Sequence, residues 1–305
     1  MGHQPSIQDK LQQLIQVLNE GLIERDEEVK LALLALIAKE NLLLIGPPGT
    51  AKSEISRRFA KVIKDANYFE YLLTKFTAPE EVFGPLSISK LKNDEFSRKT
   101  EGYMPSSNVV FLDEVFKANS AILNSLLTIM NERIYHNGAV KQQTPLTSLI
   151  SASNELPIGN SELEALYDRF LIRKFVNYVS DDNIERLINL APKPFDVPVH
   201  LQLTVDEIES ISQAAKQVTI ENDIISIIKR IRKQFNDEFK DNSDEQLSDR
   251  RLVKIVKVLR VSAYTNGRSE VNYSDLVLLK HCLCNNFENY KKVNKIINEN
   301  INMEV

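Results

Sequence analysis

At 305 residues the chain has room for one large domain and a smaller one. Its composition, 43% hydrophobic and 26% charged, is that of an ordinary soluble globular protein and excludes a disordered or fibrous chain. A net charge of -4 gives no electrostatic reason to expect DNA or a membrane surface as the main partner.

Leu11, Leu14, Ile15, Leu18 and Leu22 recur at helical spacing and predict an opening amphipathic helix. Leu31 to Ala38 predicts a second, more buried one. This most apolar region is broken by Lys39-Glu40-Asn41, so it is too short for a membrane span, and Met1 to Gln4 lacks the basic start of a signal peptide. From Asn41 the period changes. NLLLIG (41–46), YFEYLLT (68–74), NVVFLDE (108–114), TSLISASNE (147–155) and FLIRKFVNYV (170–179) are short apolar runs separated by helical patterns such as Ile122, Leu126, Ile129 and Met130. Strands that alternate with helices and are apolar on both faces predict an α/β fold with a five-stranded parallel sheet covered by helices.

Past Ser180 the character shifts. Three prolines in Ala191–His200 predict a linker, and beyond it the chain reads as all-helical. Thr204 and Glu207 form a capping box, Ile224, Ile228, Ile231 and Phe235 stripe one helix, and Leu252, Ile255, Val256 and Leu259 stripe another that Asn266-Gly267 ends. The expected division is an α/β core over 1–190, a linker over 191–200 and an all-helical domain with a tail over 201–305. Cys282 and Cys284, two apart on a helix, would face apart, so no disulfide or metal pair is expected and a reducing compartment fits. The four histidines are too scattered to ligate a metal together.

The chemistry is carried by GPPGTAKSE, comprising Gly46, Pro47, Pro48, Gly49, Thr50, Ala51, Lys52, Ser53 and Glu54. It follows a strand and opens a helix, the context in which backbone N–H groups and the helix dipole bind phosphate. Lys52 would reach the β- and γ-phosphates of ATP, and Ser53 would give its hydroxyl to Mg²⁺. The phosphate-loop pattern G-x-x-x-x-G-K-[ST] has glycine where this chain has Ala51. A methyl group is tolerable there provided the backbone φ is negative. The plainer reading is a glycine-proline turn, which leaves Lys-Ser as coincidence. VVFLDE ends a strand in Asp113 and Glu114, at the strand end where α/β sheets bind ligands. Asp113 would join the Mg²⁺ shell and Glu114 would polarise the attacking water; many strands end in such a pair, but here it follows a phosphate loop by about sixty residues. Asn154, after a neighbouring strand, would bridge water and γ-phosphate, where alone it would read as a turn residue.

With these residues on the page, the sequence resembles the AAA+ ATPases, and within them the MoxR group, most closely its RavA branch. The likeness spans nearly all of Gly21 to Leu259 and includes GPPGTAKS, FTAPEEVFGPLSI, GYMP, FLDEVFKANSAILNSLLTIMNER, SASNELP and LEALYDRFLIR. Ala51 belongs to the MoxR spelling. The resemblance implies that Lys52 and Ser53 are Walker A, Asp113 and Glu114 Walker B, Asn154 sensor 1, and Arg169 an arginine finger reaching a neighbouring subunit's site. It implies that Arg250 is sensor 2 of the lid, with Arg251 beside it leaving the assignment open by one residue. Ile23, Glu24 and Arg25 would line the adenine pocket, 87–100 would be the helix-2 insert and 133–146 the hairpin before sensor 1, both projecting toward a central opening. Arginine's permanent, forked charge suits γ-phosphate oxygens; the plainer role of Arg169 is a surface pair with Asp168 or Glu164, and Arg173 would share the task or pair with an acid.

The implied function is an ATP-hydrolysing, ring-forming motor, a hexamer in the cytoplasm, that remodels a partner protein such as a von Willebrand factor A-domain protein. ATP would lie between core and lid. Proteins of the RavA branch usually continue past the lid into partner-binding regions, whereas this sequence stops at Val305. The rival is a nucleic-acid translocase of a related clade. Against it, the hairpin ERIYHNGAVKQQ carries only Arg133, Lys141 and one tyrosine, Tyr135, where strand-tracking grooves are basic and aromatic. A nucleotide-binding scaffold without turnover is disfavoured by the presence of Lys52, Asp113, Glu114 and Asn154.

Overall fold

A computed structural model describes residues 6–157, 159–191, 194–240 and 246–302. Met1 to Gln4, part of the proline-rich linker and part of the charged run after Lys240 lie outside the described residues.

Ser6 caps α1 (Ile7–Asn19) through a capping box with Asp9, and Leu11, Leu14 and Leu18 form its buried stripe. Helix α2 (Asp26–Ala38) is buried almost all round, as its apolar sequence requires. Strand β1 (Leu42–Ile45) leads through the phosphate loop into α3 (Lys52–Phe59). Then come β2 (Tyr68–Leu72), α4 (Pro79–Phe83), α5 (Ile88–Leu91), β3 (Val109–Asp113) and α6 (Ser120–Glu132). A hairpin, β4 (Ile134–Asn137) and β5 (Val140–Gln143), precedes β6 (Ser148–Ser153), α7 (Ser161–Tyr167), β7 (Ile172–Phe175) and α8 (Ile184–Ile188).

The five long-range strands form a parallel sheet in the order β2-β3-β6-β1-β7. Along β1 the side chains alternate between two cores. Leu42 and Leu44 join a cluster with α1, α2 and α3, whereas Leu43 and Ile45 join one with Phe83, Phe111's neighbours Val110 and Leu112, and α6. Burial on both faces explains why these strands read as unbroken apolar runs.

The lid comprises α9 (Val205–Ala215), α10 (Asn222–Glu238), α11 (Asp249–Thr265), α12 (Tyr273–Leu276), α13 (Leu279–Leu283) and α14 (Tyr290–Asn302). Thr204 and Glu207 cap α9 as the sequence predicts. On α10 the buried positions are Ile224, Ile227, Ile231 and Phe235, with Ile228 only half-buried. Residues of α10 and α11 belong to the same apolar cluster as α1 and α2, so lid and core share one interior.

The segment before and after α5 folds back on itself, with Ser87 N–H donating to Ser97 O and Lys99 N–H to Pro85 O, both at 2.8 Å. It is tied to the hairpin by Asn137, whose side chain accepts from Arg98 N–H at 2.6 Å and donates to Arg98 O at 3.0 Å. Insert and hairpin therefore form one projection, on which Ile88, Phe96 and Val140 are exposed.

Candidate functional site

The phosphate loop begins where β1 runs beside the end of β7. A Cβ on Gly46 would meet Val176 O at 2.1 Å, so only glycine fits. Two residues of the loop are left-handed, Gly49 at φ 78° and Ala51 at φ 65°. Such turns gather successive N–H groups into a concavity for anions. The condition placed on Ala51 from sequence, a negative φ, is not met. Ala51 is the N-cap of α3, and the chain must reverse there to bring α3 back over the strand end. The conformation costs alanine about 1 kcal/mol relative to its usual regions. Ala51→Gly should therefore hold or raise thermal stability, by at most about 1 kcal/mol after glycine's larger unfolded-state entropy. A clear fall in melting temperature would contradict this backbone.

Lys52 opens α3 and is buried, its ammonium donating to Gly46 O and Pro47 O, each at 2.7 Å. Burial draws its pKa below the ordinary lysine value, and the charges of Asp113 and Glu114 oppose that shift. Ser53 Oγ donates to Asp113 Oδ2 at 3.1 Å, joining the first turn of α3 to the end of β3. A hydroxyl and a carboxylate oxygen side by side are the hard donors that Mg²⁺ takes, so the residues present fit that ion. Asp113 Oδ1 accepts from Glu114 N–H at 3.0 Å, and Glu114 is itself left-handed, at φ 53°. Its Oε2 is buried without a hydrogen bond, with the Lys117 ammonium 3.4 Å away. Lys117 had not been singled out from sequence; its place three residues after Glu114 in DEVFK was the available signal. Asn154 lies one residue past β6, exposed, beside the end of β1 with which β6 pairs. Glu54 turns its carboxylate to Arg58 at 2.9 Å along α3, which leaves only its backbone toward the loop.

Ile23, Glu24 and Arg25 sit beside the loop. Arg25 is buried; its Nε donates to Thr50 O at 3.0 Å and its Nη2 to Asn177 O at 2.8 Å. It thus fixes the phosphate loop to the segment leaving β7, a bracing role its residue type allowed but its position did not reveal. Glu24 is left-handed, and its carboxylate accepts from the Ser180 hydroxyl, from Ser180 N–H at 2.8 Å and from Asn183 Nδ2 at 2.7 Å, contacts that hold it below the usual range. Ile23 is buried beneath them.

The remaining arginines lie at the other end of the sheet. Arg169 O accepts from Asn41 Nδ2 at 3.3 Å, and Asn41 precedes β1, whereas the phosphate loop follows it. The four residues of β1, five steps from Asn41 to Gly46, separate the two ends by roughly 16 Å. Arg169 pairs with Asp168 at 3.2 Å, as its plainer reading had it. Arg250 donates to Asn131 Oδ1 at 3.0 Å in the last turn of α6. Further along α11, Lys257 and Lys254 hold Glu40, which also precedes β1, at 2.8 and 3.5 Å. This corrects the expectation that the lid closes over the chain's own ATP at Arg250: α11 packs on α2 and at the N-terminal strand ends, away from Lys52. Arg251, one residue on, points inward and is buried. Arg173 is buried as well and bonds to Asn285, Phe170 O and Tyr167 O rather than to an acid.

A phosphate loop, an acidic pair at the neighbouring strand end and a helical lid after a parallel sheet of this order define an AAA+ ATPase. The family described as the MoxR domain of MoxR-vWA-beta-propeller ternary systems matches residues 9–213, and an AAA lid domain matches 223–297. The chain belongs to the MoxR family. Two uncharacterised proteins of Methanocaldococcus jannaschii are each 44% identical to it, over 95% and 93% of this chain and 74% of theirs. The chaperone MoxR1 of Mycobacterium tuberculosis is 28% identical over 55% of this chain and 44% of its own. A crystal structure of a Cytophaga hutchinsonii protein described as an ATPase shares the fold, with a TM-score of 0.72, 20% identity, and 98% and 95% of the two chains covered.

Proposed function

We propose that the chain hydrolyses ATP as one subunit of a homo-oligomeric ring, a hexamer, and uses the cycle to remodel a partner protein. The observation that carries this reading is the separation within one chain: Lys52, Ser53, Asp113 and Glu114 meet at the C-terminal strand ends, while Arg169 and Arg250 stand at the N-terminal ends. Arg169 cannot complete its own site across that distance, but it can complete a neighbour's. Lys52 and the loop N–H groups would hold the triphosphate of ATP, later ADP. Ser53 and Asp113 would hold Mg²⁺, which when bound offsets phosphate charge. Glu114 would orient the attacking water and take its proton, with Asn154 fixing that water from the adjacent strand.

Arg250, the outward member of its pair, is the better placed of the two to meet a neighbouring subunit as sensor 2. The partner is proposed from the family description, which names vWA proteins, and from the chaperone name of a relative. The RavA-like branch rests on the spelling of the segments quoted above. A cytoplasmic setting is consistent with two buried cysteines, and among the described residues no helix is long and apolar enough to cross a membrane. ATP turnover per subunit, measured over a dilution series beside native mass with and without nucleotide, tests the proposal. Specific activity should fall as the ring dissociates; a dilute monomer turning over at the full rate would refute it. Single-strand DNA retention that survives a salt series would favour the translocase instead.

A further inference from the structure

Between α7 and β7 the Arg169 loop is held by an unusual arrangement of charge. Arg173, fully buried, donates through Nε to Phe170 O at 3.0 Å and through Nη2 to Tyr167 O at 3.1 Å. It thereby grips the backbone on both sides of Asp168 and Arg169. Its guanidinium also lies 3.8 Å from the centre of the Tyr167 ring. From the lid, Arg251 enters the same interior, donating to Cys282 O at 2.5 Å. Both arginines share one neutral acceptor: Asn285 Oδ1 receives Arg173 Nη1 and, at 3.4 Å, Arg251 Nη2. Asn285 O in turn accepts from the Tyr167 hydroxyl.

Two guanidinium groups buried around a neutral amide are expensive, since each loses hydration and, among the described residues, neither makes an ion pair with a carboxylate, the Asp168 charge offsetting only part of the cost at Arg251. Burial, then the Arg173 charge, pulls Arg251 down to about 9, and Arg251 Nε has no hydrogen-bond partner. Apolar side chains of similar volume would fill this space at lower cost. The polar version does what they would not: it fixes the direction of the loop that ends in Arg169, and it makes that direction depend on the lid.

We propose that Asn285, with Arg173, Tyr167 and Arg251, is a positioning centre that sets Arg169 for a neighbour's γ-phosphate and ties its placement to the lid. The inference rests on the reading of Arg169 as a finger acting in trans. Displacing such a cation by about 1 Å costs on the order of a hundredfold in rate where the geometry is demanding. Asn285 touches no nucleotide; its effect runs through the loop.

The test compares Asn285→Ala, Tyr167→Phe and Asn285→Asp with Arg169→Ala in the full-length ring, following steady-state turnover and the affinity of a fluorescent ATP analogue. Asn285→Ala should lower kcat by about tenfold or more while affinity stays within about twofold. Tyr167→Phe keeps the ring under Arg173 and should lower kcat less, and Asn285→Asp should restore the shared acceptor and much of the rate. Because the defect lies in the donated cation, mixing Asn285→Ala with Glu114→Gln subunits should recover activity, as mixing Arg169→Ala with them should. If Asn285→Ala and Tyr167→Phe lower only the melting temperature, or their loss is not recovered by mixing, the positioning role is wrong and the trans reading of Arg169 is untouched. If Arg169→Ala itself turns over normally, the trans reading fails and this inference falls with it.

Discussion

Arg169→Ala is expected to lower ATP turnover by about 10³–10⁵-fold, the range for a finger supplied from a neighbour, while each subunit keeps its own affinity for nucleotide. The two halves of that expectation come from different ends of the sheet. Affinity belongs to the loop around Lys52, which Arg169 does not touch. Turnover belongs to the shared site, where a permanently charged, forked cation stabilises the charge that shifts onto the γ-phosphate oxygens. The plainer role for Arg169 is its pair with Asp168 at 3.2 Å, with side chains 25% and 59% exposed. A pair so open to solvent contributes about 0–1 kcal/mol, so its loss would leave a folded protein with almost normal activity. The two roles therefore differ by orders of magnitude in rate. Phosphate release by the variant alone, and by its mixture with Glu114→Gln subunits, separates them. Partial recovery in the mixture supports donation between subunits, and no recovery counts against it.

The sheet was legible because burial on both faces leaves unbroken apolar runs, and NLLLIG and VVFLDE admit no helical stripe. The phosphate loop and the acidic pair were legible because their chemistry is local: a strand end, a turn and a helix start. What the sequence did not show was set by packing between distant segments. Ala51 is left-handed because α3 must fold back over β1, a constraint no single residue type announces. The lid was legible as helices, from Thr204 to Asn266, but its docking site was not. Nothing local says that Lys254 and Lys257 meet Glu40, and that contact holds α11 at the N-terminal strand ends, away from Lys52. Which of Arg250 and Arg251 faces inward likewise turns on one step of helix rotation, and it is Arg251 that enters the interior around Cys282 and Asn285. Cys282 and Cys284 are both buried in the lid. Asn285 went unnoticed because its partners lie more than a hundred residues away in Arg173 and Tyr167.

Glu114→Gln is expected to slow hydrolysis by about 10²–10⁴-fold with nucleotide binding intact. The side chain is placed for water activation by its backbone. A left-handed residue that is not glycine costs about 1 kcal/mol or more, and here the cost is met by the 3.0 Å bond from Glu114 N–H to Asp113 Oδ1. The turn follows directly on Asp113, whose other carboxylate oxygen accepts from Ser53 Oγ at 3.1 Å. Glu114 Oε2 is buried and, among the described residues, makes no hydrogen bond. Glutamine keeps the shape and loses the ability to accept a proton. The Lys117 ammonium at 3.4 Å gives the competing explanation, that the variant merely breaks an ion pair. With side chains 36% and 17% exposed, that loss is worth about 1 kcal/mol, less than tenfold in rate. Lys117→Met isolates it: if both variants slow turnover equally, the ion pair explains the effect, and if only Glu114→Gln falls by hundreds, proton acceptance does. Equal turnover in Glu114→Gln and the parent would remove Glu114 from the chemistry altogether.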